Sequence, residues 1–562
     1  MCFLGVASGY TADPPGLTPA TPVDLTLSGL VSRVLERNET IQSKVLDFEA
    51  HRRRSRGEWG VFEPELTASV GREVNNRKNT AEQQTSLLTP SFHETNNVYE
   101  SGLDGLIPTG ARLRLGYNLR DLQNNLQPLR GVTNSEFQSF FGFSASQPLL
   151  KNFGHAATMA AIRLSAISNH IAFQEYRRGL MAVVSAAEGT YWNLFLAQEQ
   201  MRFFEESVKT AETILKDNRT RLEAGKGAEL EVMESEAGLE LRRAKLGEAR
   251  QKVLEAANRV VSLYAEEVSP GRGLVRAADT PALSQELPDY RLLREDAFKL
   301  NPDYLAAEAR IRQGMVRLGY ARNQRLPELD LKGSYGLNGL GRTPGDAWTD
   351  IEHQNEPSWY VGAEFRIPLG GGIRSRHELA AARLDLDSAE LSLRGLHTEI
   401  VNGMDTAWHK LQSTQASVSN YQASVRYNRS LLDSALARLE AGKLESRKVL
   451  EIEADLFESR LSVAESLVRY QLAALELEMI QGALLQRRHL ELTQAELRSA
   501  TKGLRLHRYG GEPTIFEGLR SADQARDKAA GPVDPADTTR APALRQKING
   551  MGPPAELVDR SK

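Results

Sequence analysis

Cysteine is almost missing from this chain. The single one in 562 residues is Cys2, so neither a disulfide framework nor a Cys-based metal site is available. Proline is missing from two long tracts, between Pro148 and Pro270 and between Pro368 and Pro513. An internal proline costs a helix about 3 kcal/mol, and both tracts are rich in Ala, Leu, Glu and Arg, so each predicts very long helices. An excess of one charge is also missing. A formal net charge of −3 provides no broad basic field, and no nucleic-acid partner is implied. Mean hydropathy is −0.41, and no apolar run reaches the roughly 18 residues of a spanning helix. That argues against a transmembrane α-helix and leaves open a membrane β-barrel, whose strands only alternate. The 10 histidines form no His-x-x-x-His pair, and there is no nucleophile elbow. No catalytic residue, metal ligand or cofactor site is expected.

What is present is a pattern written twice. Leu30, Val34, Leu35 and Asn38 match Leu293, Ala297, Phe298 and Asn301 at an offset of 263, and Pro64-Glu65-Leu66 matches Pro327-Glu328-Leu329 at the same offset. Gly142 and Pro148 match Gly362 and Pro368 at 220, and Trp192 matches Trp408 at 216. Arg221-Leu222-Glu223-Ala224-Gly225-Lys226 recurs unchanged as Arg438-Leu439-Glu440-Ala441-Gly442-Lys443 at 217. The shared order of these matches indicates internal duplication. The reading divides the chain into a leader (1–23), a first repeat (24–268), a linker (269–287), a second repeat (288–495) and a disordered tail (496–562). Each repeat opens with a helix (about 26–60 and 288–322). A strand region follows (about 64–148 and 327–368), then a long helix that breaks at Ala-Gly-Lys, near 225 and 442, and returns.

The strands alternate with period 2. Trp359, Val361, Ala363, Phe365 and Ile367 fall on one face, and Ala111, Leu113, Leu115, Tyr117 and Leu119 on another; Leu329, Leu331 and Tyr335 follow the same rule. Such strands suit either a tilted membrane barrel or a soluble sandwich. Trp59, Phe62, Phe137, Phe140, Trp348, Trp359 and Tyr360 are candidates for interfacial aromatic girdles. Along the helices, Phe204, Val208, Ala211, Leu215 and Leu222 form a heptad seam, repeated by Tyr421, Val425, Leu432, Ala435 and Leu439. Leu230, Met233, Ala237, Leu241 and Ala244 are expected to continue the seam on the return. A helix from Ala156 to Ala224 would reach about 100 Å at 1.5 Å per residue.

Taken together, the Pro-Glu-Leu strand openings, the passages Gln147-Pro148-Leu149-Leu150 and Ile367-Pro368-Leu369-Gly370-Gly371-Gly372, and the twin Arg-x-x-x-Gly turns resemble the TolC-type outer membrane factor family over about residues 25–490. The resemblance implies an α+β membrane protein of Gram-negative bacteria. It further implies a homotrimer whose strands pool into one outer membrane β-barrel, continued by a long α-helical coiled-coil barrel through the periplasm. It also implies an exit duct for a tripartite efflux or type I secretion system, with a periplasmic adaptor protein, an inner-membrane transporter and outer membrane lipid as partners. Pooling is required physically as well, since a few strands from one chain would leave unpaired edges in lipid. One departure is visible: Pro64 to Pro148 holds 43 more residues than Pro327 to Pro368. That stretch either adds a hairpin to the barrel or folds as a loop.

On the family pattern, Arg221, Leu222, Gly225, Arg438, Leu439 and Gly442 form the periplasmic tip and its adaptor-facing surface, while Glu231 and Glu451 stand near a pore constriction. On the residues alone, the two glycines end helices in the left-handed conformation, and the two glutamates fit a solvated helix face equally well. Lys448 stands where another acidic residue is common in the family. Gly370-Gly371-Gly372 lacks the Lys-Ser/Thr ending of a phosphate-binding loop and reads as a tight strand-to-helix passage. Trp192 and Trp408 are expected to pack between helices. The first nine residues lack the basic region of a secretory signal, which places a signal upstream or already removed. Cys2 is either a lipid-bearing first residue of a mature chain or incidental. The rival to a duct is a coiled-coil scaffold or envelope-spanning tether that conducts nothing.

Overall fold

The computed structural model describes residues 23–501 apart from 88, 126, 128–135, 226, 265–274, 285, 354–355 and 442. Cys2, Gly442, the leader up to residue 22 and the tail beyond residue 501 therefore lie outside the described residues. In the first copy the elements are β1 (Val23–Leu25), α1 (Leu27–Arg37), α2 (Glu39–Gly57), a 3-10 turn (Glu58–Phe62), β2 (Glu65–Lys78), α3 (Ala81–Leu87), β3 (Ser91–Leu106), β4 (Arg112–Asn124), β5 (Glu136–Pro148), α4 (Gly154–Thr158), α5 (Ala160–Glu223) and α6 (Glu229–Ser262). In the second they are β6 (Val275–Ala277), α7 (Tyr290–Leu300), α8 (Pro302–Gln324), β7 (Glu328–Gly341), α9 (Pro344–Glu352), β8 (Pro357–Arg366), α10 (Ile373–Glu440), α11 (Ser446–Gln481) and α12 (Leu484–Arg487). These belong to one compact unit that ends at Leu490. Beyond it α13 (Gln494–Thr501) crosses position 496, where the sequence suggests a tail without structure. Its start is held by a reciprocal cap: Glu496 N–H donates to Thr493 Oγ1, and Thr493 N–H donates to the Glu496 carboxylate.

Each repeat opens with two helices rather than one, because the repeated asparagine is a cap. Asn38 Oδ1 accepts from the N–H groups of Thr40 and Ile41, and Asn301 Oδ1 accepts from Asp303 and Tyr304. The same side chains reach outward, Asn38 Nδ2 donating to Leu263 O at 3.1 Å and Asn301 Nδ2 to Ile480 O at 2.9 Å. Each asparagine thus starts one helix and ties down the end of the long helix returning from its own hairpin. The expected linker is also more than a connection. Within it β6 pairs in parallel with β1, Val23 opposite Val275 and Leu25 opposite Ala277.

The second sheet is an antiparallel meander in the order β2-β3-β4-β5-β7-β8. Its two faces differ sharply. Leu66, Leu103, Leu115, Phe143, Tyr335 and Trp359 lie side by side on six successive strands, an unbroken apolar row. All six are exposed, from 43% at Leu115 to 80% at Leu66. On the opposite face the row Glu65, Asp104, Arg114, Ser144, Ser334 and Tyr360 is polar. Among the described residues the apolar face is overlain only by α9, whose Trp348 meets Tyr117 and Phe141 edge-on at 5.4 and 6.0 Å. Phe140 and Tyr360 do not join an aromatic girdle on that face: the pleat turns both to the polar side.

Past the sheet, α5 runs for 64 residues and α10 for 68, close to 100 Å each. Here α5 packs on α6, α10 on α11, and α11 on α5. The central core joins both copies: Tyr191, Leu194, Leu30 and Val34 are sealed in with Val260, Val275 and Val468. Trp192 packs there against Tyr191 and Phe195, and Trp408 donates its indole N–H to Pro288 O at 3.2 Å. Replacing Asn301 removes a cap and a carbonyl tie together. Asn301→Ala is expected to cost about 1–2 kcal/mol, seen as a lowered midpoint in thermal or urea unfolding, while Asn301→Asp keeps the cap and should lose less.

Candidate functional site

The first tip closes as an αL turn. Gly225 sits at φ +67 with its N–H donating to Leu222 O at 2.9 Å, a conformation that a Cβ would strain. Arg221 is half-buried, and Leu222 and Gly225 are exposed. At the second tip Lys443 N–H donates to Arg438 O at 2.8 Å. Arg438 is exposed, whereas Leu439 packs against the cluster of Ile214, Ala435, Val449 and Ile452. Identical six-residue stretches therefore present different surfaces. The two glutamates also diverge. Glu451 is exposed and bound to Lys448 at 2.7 Å, which holds its carboxyl below the usual carboxylate range. Glu231 buries one carboxylate oxygen without a hydrogen-bond partner. No hydrogen bond or ion pair joins the two among the described residues.

Above the tips each hairpin carries an Asn–Ser link, buried in the first and half-buried in the second. Asn218 Nδ2 donates to Ser235 Oγ at 2.8 Å and Asn428 Nδ2 to Ser459 Oγ at 2.6 Å. Asn218 stands seven residues before Gly225, Asn428 fourteen before position 442. The device is the same, shifted by one heptad. A polar group at such a position fixes register, since any slip would strand it in an apolar seam. The return seam in α6 differs from expectation. Leu239, Leu246, Ala249, Val253, Ala257 and Val260 are buried, while Leu230, Met233 and Leu241 are exposed. Two apolar stripes exist on this helix, and only one has its partner within the chain.

The hairpins are joined by a contact that sequence reasoning missed. Arg242 of α6 donates to Glu453 of α11 at 2.9 Å and to Ser207 of α5 at 3.0 Å. Their side chains are only 15% and 10% exposed. Exposed pairs flank this one, Arg460 with Glu206 at 2.9 Å and Arg447 with Glu234 at 4.0 Å, and Phe457 meets Phe203 edge-on and Phe204 at a tilt. Burial raises the Glu453 carboxyl above the usual range, against the pull of Arg242. Nothing in either local sequence marks the pair, because its members are 211 residues apart.

Residues 111–266 and 293–483, more than half of the chain, match the family model described as outer membrane efflux protein. The chain belongs to that family. Its match in copy one begins at residue 111 and so leaves out β2 and β3, whereas in copy two it takes in both strands. Outer membrane protein TolC of Escherichia coli is 24% identical over 209 residues, 36% of this chain and 42% of that protein. Outer membrane protein OprJ of Pseudomonas aeruginosa is 21% identical over 81% of this chain and 83% of its own length. The fold is similar to the CmeC outer membrane channel of Campylobacter jejuni, with a TM-score of 0.57 at 15% identity over 88% of this chain and 99% of that one. It is also similar to the MtrE outer membrane channel of Neisseria gonorrhoeae in its open state, with a TM-score of 0.56 at 16% identity over 85% and 95%. Like these, the efflux-family chain described here combines a long helical layer with a sheet.

Two predictions concern the junction between hairpins. Glu453→Ala strands a buried guanidinium and is expected to cost ~3 kcal/mol, whereas the double change Arg242→Met/Glu453→Leu should be nearly neutral; unfolding midpoints of the three proteins compare them. A folded-state carboxyl held above its unfolded value binds its proton first on acidification, so stability withheld at neutral pH returns as the pH falls through the raised value. The difference in midpoint between wild type and Glu453→Gln should therefore shrink towards zero over that range. A difference independent of pH would show that Glu453 titrates like an exposed carboxylate.

Proposed function

We propose that the chain is one protomer of a homotrimeric channel that spans the outer membrane of a Gram-negative bacterium and extends through the periplasm. The observation that carries this reading is the exposed apolar row on all six strands, together with two free edges. An apolar face that only α9 overlies among the described residues suits lipid, and a bilayer leaves no backbone edge unsatisfied. β2 and β8 are those edges. With six antiparallel strands they run in opposite senses, so β8 of one copy can pair antiparallel with β2 of the next and close a ring. The helical layer repeats the logic. Leu230, Met233 and Leu241 on α6, and Leu384, Leu391, Tyr427 and Leu431 on α10, are exposed apolar stripes. In both layers the first copy supplies one flank and the second copy the other.

In this reading the lumen is a passive exit duct for small molecules or proteins, serving a tripartite efflux or type I secretion system. An inner-membrane transporter supplies the energy and a periplasmic adaptor docks at the tips, on Arg221, Leu222, Gly225, Arg438, Leu439 and Gly442. Glu231 and Glu451 lie near the constriction. Arg242–Glu453 holds the two hairpins of each chain together, and opening requires that contact to shift. Several relatives are named as efflux pump outer membrane proteins, among them TtgC of Pseudomonas putida. Detergent-solubilised protein is expected to run as a trimer and to conduct ions in planar bilayers. Leu222→Asp and Gly442→Pro should abolish efflux in cells while leaving the trimer intact. Extraction without detergent and no conductance would instead favour a tether.

A further inference from the structure

Among the described residues α9 alone overlies the apolar face of the sheet, and β5 and β7 are shaped to receive it. Gly339 and Gly341 lie beneath its first turn, where a Cβ on either would collide with the backbone of Ala347. Ser139 Oγ, fully buried, donates to Ala347 O at 2.8 Å, and Leu340 N–H donates to Asp350 Oδ2 at 3.0 Å. Ala347 and Ile351 are sealed in this seat, and the helix starts on a capping box between Thr343 and Asp346. Its outward side is of another kind. Asp346, Thr349 and Glu352 are exposed, and Glu352 accepts the indole N–H of Trp348 at 2.8 Å. Carboxylates so placed are strongly disfavoured in hydrocarbon.

The height of the seat fixes where such a helix can lie. β7 starts at Glu328, directly after α8, so Gly339 and Gly341 stand at its far end, away from the helical layer. Its apolar face begins at Leu329 and gives way to the seat at Gly339. That span is about 34 Å along the strand and about 26 Å upright at a tilt of about 40°, against about 25 Å for the apolar band of an outer membrane barrel. Neighbouring strands change character at the same level. Gly341 pairs with Phe137 and Phe137 with Asp121, whose carboxylate accepts from Asn97 Nδ2 at 3.0 Å on the face that is apolar lower down. Trp348, 42% exposed, reaches down to Tyr117 and Phe141, the row next above Leu115 and Phe143. We propose that α9 is an interfacial collar, lying on the outside of the barrel in the headgroup layer of the outer leaflet, with Trp348 at the edge of the hydrocarbon and the carboxylates among the headgroups. This rests on the membrane reading above. The apolar row beneath the helix is driven out of water and its outward carboxylates out of lipid, so one level satisfies both.

Cys2 is the single cysteine, so the full chain in a Cys2→Ser background accepts one nitroxide label at a time. T349C places it on the outward side of α9 and V361C on the apolar face of β8, both at exposed positions. In phospholipid vesicles the relaxation of each label by oxygen, by a dissolved nickel chelate and by a nickel-chelating lipid reads its depth. The V361C label is expected to respond to oxygen and to be shielded from dissolved nickel. The T349C label should respond to the nickel-chelating lipid several times as strongly as the V361C label does. A T349C label that responds chiefly to oxygen, or to dissolved nickel without the chelating lipid, would overturn the collar and leave the membrane barrel standing. Dipolar broadening of the T349C spectrum would put a second copy of the chain against α9, and would overturn it too. A V361C label open to dissolved nickel would sink the membrane reading, and the collar with it.

Discussion

Among the described residues the outer edges of β2 and β8 have no partner strand, and hydrocarbon supplies no hydrogen bonds to replace one. Much of the remaining architecture follows from that constraint. A sheet bearing a continuous apolar row cannot face water without cost, and a bilayer that accepts the row rejects the edges. Closing the edges with a second copy requires an even number of strands per chain, and six satisfies it as four would. The apolar stripes left bare on α6 and α10 pose the same requirement in water, where the driving force is burial of apolar surface.

Duplication explains why both layers end in the same way. Each repeat delivers strands, a rim and one long hairpin, and each hairpin is tied back to the start of its own repeat by a capping asparagine, Asn38 or Asn301. The hairpins nevertheless differ in detail. The Asn–Ser link moves by one heptad, and one tip leucine is exposed where its counterpart is packed. Buried between the hairpins, Arg242 and Glu453 contribute little net stability as a pair, yet losing one partner is costly. Such a contact resists partial opening more than it deepens the fold.

Much of this was readable in the residues. The Pro-free tracts marked the long helices, the period-2 stretches marked the strands, and Gly225 marked a turn that needs positive φ. The split of each opening helix was less visible, since Asn38 and Asn301 stood out as repeated letters before their capping role was known. Spacing alone does not place the return seam in α6, for a physical reason. Leu230, Met233 and Leu241 satisfy heptad spacing as well as the buried set does, and periodicity cannot say which of two stripes faces the neighbour in the same chain. Phe140 and Tyr360 stand at strand ends as girdle aromatics do, but the parity of the pleat puts both on the polar face.

By itself the sequence determined the duplication, the long helical hairpins, the alternating strands and the family, because these depend on local spacing and on repeated letters. Tertiary structure alone decided which side of each element is covered. It showed that the longer strand region of the first copy contributes two more strands, β3 and β4, to the sheet, and that Arg242 meets Glu453 across 211 positions. Pairing register and ion pairs between distant helices depend on how whole elements are brought together, and no local pattern of residues encodes that.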